Sequence, residues 1–454
     1  MLGVVWPNNH CAFPDFLDPR NNTQKWWIHE FEQFYDKYPF DGIWIDMNEP
    51  ANFGTNEGHP WYFDDVDHPY PIKPLFCNFS GTYAKLDNPK YKTHNVYYYG
   101  NATAGYISDK TLCMLGRTNN GNEDLYNTKS LYGLYESRLT HLAHEQVIGK
   151  RGAIITRANF LGTGRYAGHW LGDNSATWGD LLTSIVGIQE YNIFGIPYIG
   201  ADICGFHLNT TEELCLRWHQ AGAFYTFSRN HNGKPYVRQD PAQWNTVAAA
   251  AKKALLFRYR YLPYVYSLHF EAHLNGGTVI RPVFFEFQND PQTHKLGMQF
   301  MWGNAMMIIP VYEMGKTSVS GYLPSASKWY SLRDEDYGQQ IIDGSNLSAT
   351  WQQMIPVFAR GGTIIPSQEP AQTTNVSRQN PLRLIVALPE IQPDSLAMAK
   401  GILYWDDGIS LLTSNNYCKF EFTSVTKGAL WSLIEVKSVL TVKFDFRIRM
   451  MFCC

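Results

Sequence analysis

Two aspartates stand where a carboxylate could act on a substrate. Asp46 follows the apolar run Gly42-Ile-Trp-Ile45, and Asp173 ends the segment that begins at His169. A carboxylate held at the end of a rigid strand is well placed to act as a nucleophile, and neighbouring Trp170 would shield Asp173 from water. Two carboxylates in unequal environments suit glycoside hydrolysis, in which one attacks the anomeric carbon while the other protonates the leaving oxygen and then activates water. From spacing alone, the alternative that both acids cap helices or pair with arginines is the commoner case and stays open.

Helices and short apolar strands alternate around these acids, which is the pattern of an α/β fold. Each predicted strand ends in, or is directly followed by, a polar or ionisable residue, as expected where the loops of a barrel carry the chemistry. The predicted helices are 24–37, 130–148, 178–190, 212–223 and 246–269, and the predicted strands are 41–45, 152–157, 167–173 and 196–202.

The rest of the chain departs from this pattern in two places. Residues of about 54–129 are rich in Pro, Asn, Tyr and Gly and are predicted to form a long insertion on the loop face of the barrel. From about residue 278 onward, short alternating runs predict strands of small antiparallel β domains, at 279–287, 305–312, 361–366, 382–388 and 401–405. We therefore predict a barrel over 1–275, a proximal β domain over 276–360 and a distal β domain over 361–454, with no confident placement for the tail, 424–454.

Composition excludes several classes of protein. The 454 residues carry 38 Lys and Arg against 41 Asp and Glu, a net charge of −3, which argues against a nucleic-acid-binding protein. Charged residues are 17% of the chain and hydrophobic residues 44%, so the chain as a whole is not disordered. Aromatic residues make up 15%. Flat rings suit the faces of sugars, but they more often fill large cores.

The cysteines and glycosylation sequons bear on the compartment. No CxxC pair has a matching partner, so a structural zinc site is weakly supported, whereas Cys204 and Cys215 could close a small disulfide. No signal peptide and no membrane-spanning apolar stretch is present in this sequence. N-x-S/T sequons, which favour a secretory origin only mildly, begin at Asn21, Asn78, Asn101, Asn209, Asn346 and Asn375.

Four motifs in order give the sequence a family resemblance. They are Trp44-Ile-Asp-Met-Asn-Glu-Pro50, His169-Trp-Leu-Gly-Asp-Asn174, Gly200-Ala-Asp-Ile-Cys-Gly-Phe206 and Phe227-Ser-Arg-Asn-His231. Together they resemble glycoside hydrolase family 31, most closely the maltase-glucoamylase and sucrase-isomaltase group. The resemblance runs from about residue 3 to about residue 423.

The resemblance implies a role for each matching position. Asp46 matches the nucleophile and Asp173 the general acid/base of the family, and Arg157 matches the arginine beside the nucleophile. Asp202 and His231 match residues that hydrogen-bond sugar hydroxyls in the first subsite. The apolar and aromatic walls of that subsite correspond to Trp6, Trp44, Met47, Trp170 and Phe206. Taken without the family, each of these aromatic residues is more often part of a core than a sugar platform.

Family members are retaining α-glucosidases, so the resemblance implies an enzyme that releases glucose from maltose-type or other α-glucan oligosaccharides. It implies carboxyl groups about 5–5.5 Å apart and no metal or organic cofactor. It further implies a protein of the secretory pathway or cell surface, with any membrane attachment made by a segment outside this sequence.

Some features depart from the family pattern. The sequence begins near the third barrel strand, which predicts an incomplete (β/α)₈ barrel, covering about the third to eighth strands, followed by small antiparallel β-sandwich domains. Trp6-Pro-Asn-Asn replaces the usual Trp-Pro-Gly, and Arg157-Ala-Asn-Phe replaces Arg-Ser-Thr-Phe/Tyr. An alternative therefore stays open, in which the chain is a catalytically silent fragment or pseudoenzyme that at most binds sugars.

Overall fold

The computed structural model describes residues 1–7, 9–65, 73–92, 105–390, 395–413, 416–427, 431–440 and 448–452. These residues divide into two units, Met1–His169 and Trp170–Cys454, with the boundary inside a short strand. The sequon at Asn101 lies outside the described residues.

Short parallel strands and two long helices organise the first unit. Ile45 pairs with Thr156, and Thr156 pairs with His169. Three parallel strands that are neighbours in the sheet, though not along the chain, therefore end at the same edge. The strands are β1 Leu2–Val5, β2 Asn9–Ala12, β3 Ile43–Ile45, β4 Arg117–Thr118, β5 Glu123–Asp124, β6 Ile154–Thr156 and β7 Gly168–Trp170. The helices are α1 Asn22–Lys37, α2 Ala84–Asp87, α3 Leu125–Thr128 and α4 Tyr132–Ile148, and the 3₁₀ turns are Trp61–Asp64, Gly81–Tyr83, Lys129–Leu131 and Thr163–Arg165.

Aromatic side chains pack between α1 and α4. Phe16 contacts Trp27 and Tyr132 edge to face, with ring centroids 5.3 and 5.1 Å apart. The Trp27 indole also donates a hydrogen bond to the Thr140 hydroxyl on α4, at 3.1 Å. These contacts hold the two helices that flank the parallel strands.

The segment predicted as an insertion contains short elements of its own, namely α2, α3, β4 and β5. A disulfide between Cys77 and Cys113 crosslinks it internally, which the sequence alone did not indicate. The predicted pairing of Cys204 with Cys215 is also present, in the second unit.

The second unit begins with alternating helices and very short strands. Leu171 donates a backbone hydrogen bond to the Gly200 carbonyl at 2.9 Å. The short strands at 202–203 and 229–230 pair in parallel, so that Asp202 lies opposite Arg229. The elements are α5 Trp178–Ile193, β8 Ile199–Gly200, β9 Asp202–Ile203, α6 Glu212–Gly222, β10 Arg229–Asn230 and α7 Asn245–Asn275, with a 3₁₀ turn at Pro241–Gln243. The core among them includes fully buried Trp218 on α6 and Tyr261 on α7.

Two six-stranded sheets and a two-stranded ribbon follow α7. The first sheet has the order β11-β12-β13-β18-β15-β16, the second has the order β23-β22-β21-β19-β20-β24, and β14 pairs with β17. The first is antiparallel, whereas in the second β19 pairs in parallel with β21, and β20 in parallel with β24. The strands are β11 Ile280–Pro282, β12 Phe300–Trp302, β13 Met306–Ile308, β14 Ser318–Val319, β15 Trp329–Ser331, β16 Gln340–Ile341, β17 Leu347–Ser348, β18 Val357–Arg360, β19 Thr363–Gln368, β20 Leu382–Ala387, β21 Leu396–Asp406, β22 Tyr417–Lys427, β23 Trp431–Leu440 and β24 Ile448–Phe452. The remaining helices are α8 Val283–Glu286 and α9 Thr374–Ser377, with a 3₁₀ turn at Pro291–Lys295.

The prediction of one strand over residues 279–287 is wrong in its second half. Only Ile280–Pro282 is a strand, and α8 follows it directly. Glu286 at the end of α8 pairs with Arg281 at 2.6 Å and with Arg360 at 3.0 Å, and these ion pairs favour the helical turn over an extended chain. The tail, left without a placement, is partly accounted for because β22, β23 and β24 all lie within or reach into it.

In the described part of the chain, no helix is both long and apolar enough to cross a bilayer. The predicted domain boundaries at about 275 and 360 stay predictions.

Candidate active site

The register of the parallel strands places Arg157 beside Asp46. Because Ile45 pairs with Thr156, the next residue on each strand leaves the sheet at the same point. The Arg157 backbone N–H donates to the Ile45 carbonyl at 3.2 Å, and its guanidinium Nη1 lies 3.1 Å from Asp46 Oδ1. A positive charge is thus fixed next to a carboxylate whose side chain is 40% exposed.

The turn after β3 presents the Asp46 carboxylate. Met47 has a left-handed backbone with φ of 61°, an uncommon conformation for a residue with a side chain. Its N–H donates to Asp46 Oδ1 at 2.6 Å. Asp46 therefore accepts hydrogen bonds from a backbone amide and an arginine, an arrangement that favours its charged form.

Glu49 holds the Arg157 guanidinium from its other side. Arg157 Nε donates to Glu49 Oε1 at 2.6 Å and Nη2 donates to Oε2 at 2.9 Å, a bidentate pair. Nη2 also lies 3.0 Å from Met47 Sδ. Such a fork-to-fork contact fixes the plane of the guanidinium, so Glu49 orients the group that touches Asp46.

The three apolar residues predicted for this half of the site differ in exposure. Trp44 and Met47 are partly exposed, on either side of Asp46 in the sequence. Trp6 follows β1 and is 68% exposed. A large exposed indole is available for contact with a ligand, whereas a core tryptophan would be buried.

In the second unit, Asp173 lies in an exposed turn after a buried tryptophan. Trp170 is 1% exposed, whereas Asp173 is exposed and follows Gly172, whose φ is 82°. The neighbouring Asn174 amide donates to the Asp202 carbonyl at 3.0 Å, and the Asn174 carbonyl accepts from the Phe206 N–H at 2.9 Å. These bonds connect the turn that carries Asp173 to the segment that carries Asp202 and Phe206.

Asp202 is buried and paired with Arg229. Asp202 on β9 and Arg229 on β10 are directly opposite each other in the strand pairing. Arg229 Nη2 and Nε donate to Asp202 Oδ1 at 2.5 and 3.0 Å. The Asp202 side chain is 0% exposed, and the Arg229 side chain is 28% exposed. The Asp202 carboxylate is therefore enclosed, whereas Asp173 is exposed.

Phe206 and His231 stack on each other. Their ring centroids are 5.3 Å apart with an interplanar angle of 29°, and His231 is exposed. Partial burial and the positive charge of Arg229 lower the pKa of His231, while the negative charge of Asp173 acts in the opposite direction. A neutral imidazole can both donate and accept a hydrogen bond, as contact with a sugar hydroxyl requires.

Gly205 and a disulfide shape the loop that carries Phe206. Gly205 has φ of 91°, and a Cβ there would lie 2.3 Å from the Ala176 amide nitrogen, so only glycine fits. The disulfide joins Cys204 to Cys215 on α6. A ring nitrogen of His219 and the two disulfide sulfurs lie within 4.8 Å of one another, a spacing that would suit metal ligands. Sulfurs that are bonded to each other are not thiolates, so they cannot bind a metal in that way.

Comparison with known proteins identifies the family. Residues 1–268 match the TIM-barrel domain of glycosyl hydrolases family 31, and residues 276–365 match the C-terminal domain of the same family. The chain belongs to glycoside hydrolase family 31. The family and the fold class predicted from the four motifs, a TIM-type barrel followed by β domains, are confirmed.

Relatives in family 31 include named α-glucosidases. The chain is 39% identical to the lysosomal alpha-glucosidase of Rattus norvegicus over 96% of this chain and 44% of that protein. It is 41% identical to the intestinal sucrase-isomaltase of Homo sapiens over 89% of this chain and 21% of that protein. The crystal structure of a glucosidase II alpha subunit aligns with a TM-score of 0.74 and 26% identity, over 94% of this chain and 41% of the other. The chain thus spans less than half the length of each of these relatives.

The structure groups the predicted residues by unit. The first contains Asp46, Met47 and Arg157 in mutual contact, together with Trp6 and Trp44. The second contains Asp173, Asp202, Phe206 and His231 on connected turns that follow Trp170.

Sequence reasoning missed two acidic or basic partners, Glu49 and Arg229. Both lie inside the motifs quoted above. Residues at or just after the ends of paired strands are neighbours, so the strand pairing could have predicted these contacts, as it does for Arg229 opposite Asp202.

Proposed function

We propose that this chain is a retaining α-glucosidase-type glycoside hydrolase. The observation that carries the proposal is the contact of Arg157 with Asp46 at the shared end of two parallel strands. Asp46 is the nucleophile, which attacks the anomeric carbon of an α-glucoside and forms a β-glucosyl ester. Arg157 and the Met47 amide stabilise its ionised form before attack.

Asp173 is the general acid/base of the proposed reaction. It donates a proton to the glycosidic oxygen as the bond to the anomeric carbon breaks, and it then removes a proton from the water that hydrolyses the ester. Its exposure and the hydrogen bonds of Asn174 support this role, because the carboxyl group must reach both leaving group and water.

The remaining predicted residues bind the sugar. His231 hydrogen-bonds a hydroxyl, and the Phe206 ring, stacked on His231, contacts the sugar. Trp6, Trp44 and Met47 are apolar contacts of the sugar as well. Trp170 is 1% exposed and is therefore a core residue rather than a wall of the subsite. We propose that Asp202, buried against Arg229, contacts a hydroxyl at the base of the subsite. The substrate class is maltose-type α-glucan oligosaccharide, in line with relatives that are an alpha-glucosidase and a sucrase-isomaltase.

The proposed setting is the secretory pathway or the cell surface. Two disulfides, Cys77–Cys113 and Cys204–Cys215, are typical of an oxidising compartment. The relatives named lysosomal and intestinal agree with this setting. We also propose the domain division given above, a barrel to about residue 275 and two β domains after it.

Release of glucose from maltose by the purified chain tests the function. Asp46→Asn should abolish release, whereas Asp173→Asn should retain reaction with α-glucosyl fluoride, because fluoride needs no proton to depart. Azide should rescue Asp173→Asn by attacking the glucosyl ester in place of activated water. The matched control is Asp36→Asn, an exposed aspartate on α1.

A sugar-binding protein without turnover is the alternative. Binding of an iminosugar by a folded chain that releases no glucose, even from α-glucosyl fluoride, would favour it and would contradict the proposal.

A further inference from the structure

One glutamine of the second unit is buried in an otherwise exposed loop. Val237, Arg238 and Asp240 are exposed, whereas Gln239 among them is 3% exposed. The chain is irregular here, so no periodic element turns this side chain inward. Burying an amide is unfavourable unless its polar atoms are hydrogen-bonded, so Gln239 must have partners inside the protein.

The amide nitrogen of Gln239 faces four oxygen acceptors. Nε2 donates to the backbone carbonyls of Gly205 at 3.0 Å, His231 at 3.1 Å and Ile203 at 3.2 Å. It also donates to Asn230 Oδ1 at 3.1 Å. Oε1 is buried and makes no hydrogen bond within the part of the chain that the structure describes. Only the nitrogen of an amide can face acceptors, so its two protons are shared among oxygens from two separate segments.

Those segments follow β9 and β10, the strands that carry Asp202 and Arg229. The backbone pairing of these strands covers only two residue pairs. Beyond the strand ends, Gln239 joins the two segments through the carbonyl before Phe206 on one side and the His231 carbonyl on the other. The side chain thus continues a connection that the short strands begin.

Asn230 holds Gln239 in return. Asn230 Nδ2 donates to the Gln239 backbone carbonyl at 3.0 Å and lies 3.0 Å from His219 Nε2 on α6. Because Asn230 Oδ1 accepts from Gln239 Nε2, the two residues are linked through both backbone and side chain. These contacts restrict the conformations that the Gln239 side chain can adopt.

The bonds of Gln239 lie next to the ring pair of the proposed subsite. Phe206 directly follows Gly205, and its ring stacks on His231 with centroids 5.3 Å apart. The Gly233 N–H donates to the Phe206 carbonyl at 3.0 Å and is a second connection between the same segments. Since three of its four acceptors are backbone carbonyls, a shift of the Gln239 amide moves the backbone that carries both rings.

We propose that Gln239 is a positioning residue for the sugar-binding pair, and that its amide holds Phe206 and His231 at the spacing that a glucosyl ring requires. Its buried side chain acts through the backbone and does not touch the sugar. Without a donor at position 239, three backbone carbonyls lose a hydrogen bond and the spacing of the two rings is no longer fixed. The part of this proposal that concerns the sugar rests on the proposed function, in which both rings contact the substrate.

The first test needs no substrate. A phenyl ring stacked on an imidazole shifts the imidazole proton resonances upfield, so the His231 Cε1 proton reports its distance from the Phe206 ring in NMR. The resonance is identified by its loss in His231→Asn, and Phe206→Leu gives its position without the ring. At about pH 8, where the imidazole is neutral, we expect Gln239→Met to move the resonance at least halfway toward that position.

Two further variants sharpen this test. Gln243→Met is the matched control, at an exposed glutamine in the next turn, and should leave the His231 resonance in place. Gln239→Glu keeps the shape of the side chain but replaces the donor by a carboxylate, so it should act like Gln239→Met and replaces it if that variant does not fold. A resonance that stays in place in a folded Gln239 variant, or that moves as far in Gln243→Met, would overturn the proposal.

The second test measures the subsite itself. Affinity for a glucose-like iminosugar, measured by calorimetry, should fall about tenfold in Gln239→Met, the effect of losing roughly one hydrogen bond to the sugar. With α-glucosyl fluoride, KM should rise by a similar factor while kcat changes less, because the ring pair binds substrate before and during the reaction. Affinity and KM that both stay at the wild-type values, or a fall in kcat alone, would overturn the proposal.

The two tests separate this proposal from the proposed function. A chain that binds no iminosugar and releases no glucose counts against the α-glucosidase, and the His231 resonance still decides whether Gln239 sets the spacing of the two rings.

Discussion

The two units each pair an aspartate at a strand end with an arginine from the neighbouring strand, and the two pairs are built in opposite ways. Asp46 is 40% exposed, and Glu49 holds the guanidinium of its partner, Arg157, in a bidentate contact. Asp202 is 0% exposed and itself receives both nitrogens of Arg229 on one oxygen. The same strand-end geometry thus yields one carboxylate that is 40% exposed and one that is buried against its own arginine. The difference predicts that the two aspartates control different properties of the protein.

The largest predicted effect is loss of activity in Asp46→Asn. Turnover should fall by about 10⁴-fold or more, because the amide cannot form the glycosyl ester. The free energy of unfolding, measured by denaturant titration, should change by less than about 1 kcal/mol because exposed ion pairs contribute little. A variant with unchanged turnover would remove Asp46 from the mechanism and break the comparison.

Asp202→Asn should instead lower stability. Breaking a fully buried ion pair costs about 3–5 kcal/mol, and the partial exposure of Arg229 reduces our expectation to about 2–3 kcal/mol. The same denaturant titration measures it, with Asp36→Asn as the exposed control. A loss as small as that of Asp46→Asn would mean that burial does not distinguish the two pairs.

Glu49→Gln sharpens the comparison by removing the charge that orients Arg157. We expect kcat to fall by about 10²-fold with a smaller change in KM, because a small displacement of a catalytic group is costly while sugar contacts remain. Steady-state kinetics with α-glucosyl fluoride separates the two constants. An increase in KM alone would assign Glu49 to substrate binding.

A smaller predicted effect concerns His231 in the second unit. Because the charge of Asp173 raises the pKa of His231, Asp173→Asn should lower that pKa further. The imidazole proton resonances report the titration in NMR. A midpoint that rises or stays constant would show that Asp173 is not close enough to act on His231.

The pH dependence of stability follows from Glu136, a buried acid on α4. Burial raises its pKa to about 8 in the folded chain, against 4.5 when unfolded, so the unfolded state loses its proton first. The wild type should therefore lose stability relative to Glu136→Gln as the pH rises from about 5 to 8, with no further divergence above that range. Thermal unfolding of both proteins across this range measures the divergence, and parallel curves would contradict it.

The sequence allowed much of the site to be predicted because its residues follow apolar strands directly. Asp46 and Arg157 each come one residue after a strand, and the family resemblance predicted their proximity. Cys204 and Cys215 were close enough in sequence for a disulfide to be considered, whereas Cys77 and Cys113 are 36 residues apart and gave no such signal.

Other features depend on tertiary packing that a linear pattern does not encode. Glu136 falls on the buried stripe of α4, which periodicity could have revealed, but the close approach of Gly133 on the same helix to Ala158 is a tertiary contact that periodicity does not show. Likewise, residues 283–286 carry an apolar pattern compatible with a strand, and ion pairs to Glu286 from distant arginines favour the helical turn.

The central claim is that Asp46 becomes covalently glucosylated during turnover. A 5-fluoro glucosyl fluoride should trap that ester, because fluorine on the ring slows its hydrolysis while fluoride departs readily from the anomeric carbon. After proteolysis, mass spectrometry should find the label on the peptide that contains Asp46, and find none in Asp46→Asn. A label on another residue, or release of glucose from maltose by Asp46→Asn, would contradict the account.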